Sequence, residues 1–204
     1  MARILVLFST SYGQTRDIAW AIERHLRRRG HSVDLVDSRQ GAPDPTEYDV
    51  VVIGSRVELG RHAGAIRRYV RRHREALELT PSAFFSVSMR AAGAAPDPYV
   101  DAFIAETGWR PGRTIAFAGA LPYTRYNPIL RFVMKRISRK AGHTTDTSRD
   151  HDFTDWGAVR SFALAIADAA DRTSPASRPH LQATPVLEQP AADPHTEGPG
   201  FQRA

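Results

Sequence analysis

With 204 residues, 42% of them hydrophobic and 25% charged, the chain is long enough for one domain with a sizeable core and has an ordinary globular composition. Its formal charge of +6 and pI near 10.1 point to an anionic partner, whether nucleic acid, anionic lipid or an acidic small molecule. The absence of cysteine excludes disulfides, thiolate-bound iron–sulfur clusters, CxxC chemistry and cysteine nucleophiles, so any redox role has to run on a bound organic cofactor.

The first element is the apolar run Ile4-Leu5-Val6-Leu7-Phe8, unbroken as in a parallel strand buried on both faces. The hydroxyl-rich turn Ser9-Thr10-Ser11-Tyr12-Gly13-Gln14-Thr15 follows, and a helical pattern begins near Arg16. Ile18, Ala19, Ile22 and Leu26 repeat at helical spacing, and Gly30 closes that helix. A turn of this kind between strand and helix suits a phosphate. The free N–H groups of a helix N-terminus point at the anion, and the helix dipole favours negative charge there. Ser9, Thr10, Ser11 and Thr15 add side-chain donors, while Gly13 lets the backbone turn and come close. No Lys or Arg lies inside the turn, so it is not the Lys-bearing nucleotide P-loop, and it lacks the three spaced glycines of a dinucleotide fingerprint. A plain helix N-cap with spare hydroxyls would have the same sequence.

Val33–Val36 makes a second strand, and Gly41–Glu47, with Pro43 and Pro45, a loop. Val50-Val51-Val52-Ile53 is a third strand ending at Gly54-Ser55, followed by one helix with Ile66, Val70, His73 and Leu77 on a face. His73 fits a packed helix residue, since no second metal-type ligand is spaced with it, and no metal site is expected. Ala83-Phe84-Phe85-Ser86-Val87 is a fourth strand; a helix from Pro98 to Thr107 is opened by Asp97 as cap. Thr114–Ala118 is a fifth strand ending at Gly119, and the last helix runs from about Asp155 to Ala170 with Val159, Phe162, Ala163 and Ile166 as its buried stripe.

Strands alternating with helices predict a doubly wound α/β fold, and right-handed crossovers with the loop after strand one select the five-stranded parallel order 2-1-3-4-5. Ligands in such sheets sit at the carboxyl ends of the strands. That gathers Ser9–Thr15, Ser55–Gly60, Ser86–Met89 and Gly119–Tyr123 around one site.

More than thirty residues separate strand five from the last helix, about 122–153, where a short loop would do. From Ile129 this insertion has helical periodicity: Ile129, Leu130, Val133, Met134 and Ile137 share one face, and Arg131, Lys135, Ser138 and Arg139 the other. Arg125 to Lys140 contains no acid; Arg136 and Lys140 flank the apolar face, and with Pro128 and Phe132 the segment 129–140 suits an anionic membrane interface, though a helix packed on its own domain with a solvated basic face would look the same. The arginines of residues 24–29 and 61–74 fit solvated helix faces instead. The start of the chain lacks a signal peptide's long apolar region, and no stretch reaches the roughly 20 apolar residues that span a bilayer, so a cytoplasmic protein is expected. The α/β domain is expected over 1–172, and the Pro-rich residues 173–204 as a disordered tail without assigned function.

The turn resembles the FMN-phosphate loop of flavodoxins, and the whole chain resembles the flavodoxin-type, quinone-dependent protoporphyrinogen IX dehydrogenases of haem synthesis. The matching pieces are Phe8-Ser9-Thr10 with Gly13-Gln14-Thr15, Val52-Ile53-Gly54, and Pro81-Ser82-Ala83-Phe84 with Ser86-Val87. The most specific run goes from Trp109-Arg110-Pro111 through Ala118-Gly119-Ala120-Leu121 and Tyr123-Arg125-Tyr126. It continues in Arg131-Phe132, Thr145-Asp146-Thr147 and Thr154-Asp155-Trp156. The likeness covers roughly Ala2 to Arg172, insertion included, and departs from the family at Ser11-Tyr12 and over Ala91–Ala95.

That resemblance implies a flavodoxin-like fold binding one FMN, and an enzyme that oxidises protoporphyrinogen IX and passes electrons to menaquinone or ubiquinone at the inner face of the membrane. It implies that Ser9, Thr10, Ser11, Tyr12, Gly13, Gln14 and Thr15 hold the FMN phosphate. The loops at Ser55-Arg56, Ser86-Val87-Ser88 and Gly119-Ala120-Leu121 would flank the isoalloxazine. Arg56, Arg61 and Arg125 are candidates for the substrate propionates, since arginine pairs carboxylates bidentately. Tyr123 and Tyr126 would stack on the macrocycle or pack the insertion. No residue stands out as a catalytic base. The alternatives are a flavodoxin-type electron carrier, an NAD(P)H:quinone reductase, and a flavin-free module for anionic lipid or nucleic acid. For nucleic acid the chain offers no recognised motif.

Overall fold

The computed structural model describes residues 1–89, 91, 97–121, 132, 136, 146 and 150–173. In chain order its elements are β1 (Arg3–Ser9), α1 (Gln14–Arg28), β2 (Ser32–Asp37), β3 (Val50–Glu58), β4 (Arg61–His62), α2 (Gly64–Arg72), α3 (Arg74–Leu79), β5 (Ser82–Ser88), α4 (Pro98–Thr107), β6 (Arg113–Ala118), β7 (Ala120–Leu121), β8 (His151–Asp152) and α5 (Trp156–Thr173). The five long strands are parallel in the order β2-β1-β3-β5-β6, the 2-1-3-4-5 arrangement expected from the sequence.

Unbroken apolar runs are tolerated because successive side chains enter two separate cores. Ile4, Val6 and Phe8 of β1 pack on one face with Ile18, Ile22 and Leu26 of α1 and Val159, Phe162 and Ile166 of α5. Leu5 and Leu7 enter the other core, where Ile66 and Val70 of α2, Leu77 of α3 and Phe103 of α4 cover the sheet. β3 and β5 divide the same way, Val52 and Phe85 to the first core, Ile53 and Phe84 to the second. Gly54 has to be glycine, because the Phe85 ring fills the space a Cβ would need.

Three features differ from the expectations. The third strand does not stop at Ile53 but runs to Glu58, then folds back as β4, with Val57 opposite His62 and Glu58 opposite Arg61. Its two-residue turn, Leu59-Gly60, takes positive φ at both positions (50° and 78°), the twist that suits a tight hairpin. Ser55 and Arg56 are therefore strand residues rather than loop residues. The single helix expected over Ile66–Leu77 is divided at His73, whose φ of −110° leaves the helical region. Finally, the base of the insertion is a short antiparallel ribbon, β7 on β8, that local pattern did not foretell. Most of the expected helix 129–140, and the tail 174–204, lie outside the described residues; Phe132 and Arg136 are helical.

Asp97 and Pro98 open α4 as expected, the Asp97 carboxylate accepting the Tyr99 N–H at 2.9 Å, and Gly108 closes it at φ 71°. Among the described residues no helix is long and apolar enough to cross a membrane.

A candidate anion and cofactor site at the carboxyl edge of the sheet

β1 delivers its last residue, Ser9, to the carboxyl edge, and the chain turns through Thr10–Gly13 into α1. The turn is tied internally: the Thr10 Oγ1 accepts the Gly13 N–H at 3.0 Å. Gly13 sits at φ 103° and no side chain caps the helix, whose first backbone bond is Asp17 N–H to Gly13 O at 3.0 Å. The N–H groups of Gln14, Thr15 and Arg16 thus precede the hydrogen-bonded helix and open into the turn. Ser9, Thr10 and Thr15 are buried while Ser11 and Tyr12 are exposed. An uncapped helix start behind a left-handed glycine, with hydroxyls around it, is a donor set fitted to a phosphate monoester.

The strand beside the turn supplies charge. Arg56 of β3 donates from Nη1 to the Ser9 Oγ at 2.9 Å. Its Nε and Nη2 reach Glu58 Oε2 at 3.1 and 3.0 Å, and the Ser11 hydroxyl donates to the same oxygen at 3.3 Å. Arg56 and Glu58 stand on one face because they are two apart on an extended strand.

The insertion is anchored to the same turn. Gln14 Nε2 donates to Asp152 Oδ1 at 2.9 Å and to Thr154 Oγ1 at 2.6 Å. Thr154 in turn donates to the Ala118 carbonyl at 3.0 Å, and Trp156 Nε1 to Asp152 Oδ2 at 3.1 Å. Gly119 completes the edge, its N–H on the Ser88 carbonyl at 3.0 Å and its carbonyl accepting the Phe153 N–H at 3.3 Å. The turn, the end of β6 and the exit of the insertion are one hydrogen-bonded unit.

The profile of the flavodoxin domain family matches residues 5–148. The chain is 36% identical over 176 residues to the protoporphyrinogen IX dehydrogenase [quinone] of Escherichia coli K12, an alignment covering 83% of this chain and 97% of that protein. The chain belongs to the flavodoxin-type protoporphyrinogen IX dehydrogenase family. A protein of the same name from Leishmania major is 34% identical over 172 residues, covering 81% of this chain and 74% of its own length. Oxidised flavodoxin 1 of Bacillus cereus shares the fold with a TM-score of 0.51 at 12% identity, over 81% of this chain and 97% of its own.

In this member of the family, the residues expected around the site divide into two groups. Ser9–Thr15, Ser55, Arg56, Gly119 and Ala120 do meet at the carboxyl edge. Ser86 and Val87 lie within β5 beside Ser55 and Arg56; Ser86, like Ser55, is fully buried, and the Val87 side chain is in the first core. Ser88 ends β5, its hydroxyl 3.3 Å from Asp97 Oδ2 and accepting the Ala91 N–H at 3.2 Å. Arg61 is exposed on the hairpin and makes no ion pair among the described residues. Of Leu121 the backbone is described, in β7; Tyr123, Arg125, Tyr126 and Ala92–Ala95 lie outside the described residues. Sequence reading placed Glu58 only within the range Ser55–Gly60, with no role of its own, and missed Asp152 and the partnership of Gln14. Glu58 was legible in principle, had the strand been carried on to its i+2 pair; Asp152 carried no local signal.

Behind the hairpin, His62 is buried edge-on against Phe84 and Phe103, with ring centroids 5.2 and 5.0 Å away. Burial lowers its pKa from the usual 6.5 to about 4, against weaker pulls from the Tyr99 backbone and the Asp97 charge. Because the unfolded chain binds the proton more readily, stability is full above the unfolded value and falls as pH drops through this window. Going from pH 7 to pH 4 should cost about 3 kcal/mol through this one group. Urea titrations across that range should show it, and His62→Gln should flatten the slope between pH 6.5 and 4.

Proposed function

We propose that this chain binds one FMN through the Ser9–Thr15 turn and oxidises protoporphyrinogen IX, passing the electrons to menaquinone or ubiquinone. The observation that carries this reading is the 36% identity across 97% of the Escherichia coli enzyme. A span of 83% of this chain cannot leave out residues 122–153, so the likeness includes the insertion. The donor chemistry of the turn supports the cofactor: amides at an uncapped helix start and the hydroxyls of Ser9, Ser11 and Thr15 suit a phosphate monoester. Bound there, FMN supplies the two-electron acceptor.

The protein's part is to hold and orient. Gly13 brings the backbone close to the phosphate, and Gln14 fixes the insertion to the turn through Asp152 and Thr154. Ser55, Ser88, Gly119, Ala120 and Leu121 border the flavin ring through backbone and small side chains. Arg61 and Arg125 are the candidates for the propionates of the substrate, and Tyr123 and Tyr126 are candidates either for stacking on the macrocycle or for packing the insertion. Among the described residues no group of three or more His, Asp or Glu is placed to hold a metal ion.

The basic segment 129–140 docks on the anionic inner face of the membrane, where quinones are dissolved. Phe132 and Arg136 support this, one helical turn apart and both exposed, Phe132 at 70%. Phe132→Asp with Arg136→Glu should reduce sedimentation with phosphatidylglycerol vesicles by about 10-fold or more, at roughly 1 kcal/mol per lost cation plus the lost apolar contact. Its circular dichroism should stay unchanged; full binding by the double variant would place the docking surface elsewhere.

The activity is tested by anaerobic oxidation of protoporphyrinogen IX with added quinone, following porphyrin fluorescence against an enzyme-free control. Flavin- and quinone-dependent fluorescence is the expected result. A flat trace from FMN-loaded protein would hand the function to an electron carrier, or, if NADPH bleaches the flavin, to a quinone reductase.

A further inference from the structure

The phosphate turn contains no cation, yet a guanidinium lies against it. Arg56 holds the Ser9 hydroxyl at 2.9 Å with Nη1, and turns its other two nitrogens to Glu58 Oε2 at 3.1 and 3.0 Å. The Ser11 hydroxyl donates to that same oxygen at 3.3 Å. One anionic oxygen is therefore surrounded by two guanidinium N–H groups and a hydroxyl of the phosphate turn. That is the donor set a phosphate oxygen would take, and arginine in particular matches a phosphate through its fork of N–H groups.

The two partners are not held equally. The Arg56 side chain is 27% exposed and anchored to Ser9, whereas the Glu58 side chain is 49% exposed. Glu58 immediately precedes the two-residue hairpin turn, next to Leu59, which is fully exposed. An ion pair this open contributes little to stability, so exchanging the carboxylate for another anion is cheap. A phosphate dianion entering the turn would meet like charge at Glu58 and opposite charge at Arg56, and both effects move the carboxylate away.

We infer that Arg56 is the charge partner of the cofactor phosphate, and that Glu58 competes with that phosphate for the guanidinium. This rests on the reading of the Ser9–Thr15 turn as the FMN site. It reassigns Arg56 from the flavin ring and the substrate propionates to the phosphate, and it gives Glu58 a positioning role. The carboxylate keeps the guanidinium and the Ser11 hydroxyl aimed at one point, at the expense of some affinity.

FMN and riboflavin differ by the phosphate alone, which makes the pair a direct probe. The full chain, freed of flavin, is titrated with each by quenching of flavin fluorescence. Arg56→Gln should weaken FMN by about 10- to 100-fold, the worth of hydrogen bonds to a charged group, and leave riboflavin within about 2-fold. Arg56→Lys should recover part of the loss. Glu58→Gln should tighten FMN by about 2- to 5-fold with riboflavin unchanged, and this variant keeps the test open should Arg56→Gln fold poorly. Equal shifts for FMN and riboflavin in these variants would overturn the inference, as would weaker FMN binding by Glu58→Gln. A wild-type chain with no preference for FMN over riboflavin would instead remove the phosphate reading of the turn.

Discussion

Gly13→Val is expected to abolish FMN retention while leaving the sheet folded. Gly13 sits at φ 103° and ψ −26°, a conformation that a β-branched residue adopts only under strain. The strain, of order 1–3 kcal/mol, is relieved most easily by moving the turn, where Ser11 and Tyr12 are exposed while Ile4–Phe8 before it are buried. Movement breaks the Gly13 N–H bond to Thr10 Oγ1 and redirects the amides of Gln14, Thr15 and Arg16. A phosphate that depends on several donors converging loses them together, so an affinity loss of about 100-fold or more is expected. Flavin content after purification and a fluorescence titration measure it. Thr10→Val, which removes the acceptor and keeps Gly13, should give a smaller loss in the same direction. A fully flavin-loaded Gly13→Val protein would sink the assignment of the turn.

The largest stability effect is expected at the opposite end of the sheet. Trp109 follows α4 and precedes β6, and its side chain is completely buried. Its ring meets Phe84 edge-on at 6.1 Å and Phe103 at 6.3 Å, while those two stack on each other at 4.3 Å. This trio pins α4 to the sheet, and truncation to alanine leaves a cavity between two rigid rings. Trp109→Ala should cost about 3–5 kcal/mol, or some 6–20 °C in Tm for a chain of this length. Trp109→Phe should cost much less, under about 1.5 kcal/mol, because the indole Nε1–H has no hydrogen-bond partner among the described residues. If alanine were tolerated as well as phenylalanine, the trio would not be what holds α4. Because Trp109 lies at the amino end of the sheet, FMN affinity of the folded Trp109→Phe protein should be unchanged.

These two sites also show where local sequence is informative. The apolar runs 4–8, 50–53 and 83–85 had no alternation, as expected for strands buried on both faces. That pattern, with helical periodicity between the runs, leads to a parallel sheet covered on both sides and then to the 2-1-3-4-5 order. The phosphate turn was legible for a similar reason: its hydroxyls, its glycine and the helix start are consecutive in the chain, so their geometry is set locally. The insertion was legible from its length, more than thirty residues where a short loop would do.

Contacts across the chain were not legible in this way. The Gln14 bond to Asp152 joins residues 138 positions apart, and nothing in either segment's composition names the other. The continuation of β3 to Glu58 depended on a partner, β4, that is two residues long and too short to carry a pattern. Once that hairpin forms, strand alternation puts Arg56 and Glu58 on one face and the phosphate turn brings Ser9 and Ser11 to meet them. The residue types and their order thus determined the sheet, its two cores and the anion-binding turn, because these follow from periodicity and from neighbours in the chain. Which cation serves that turn, and which side chain holds the insertion to it, was decided by folding, because those pairs are made between segments that only the sheet brings together.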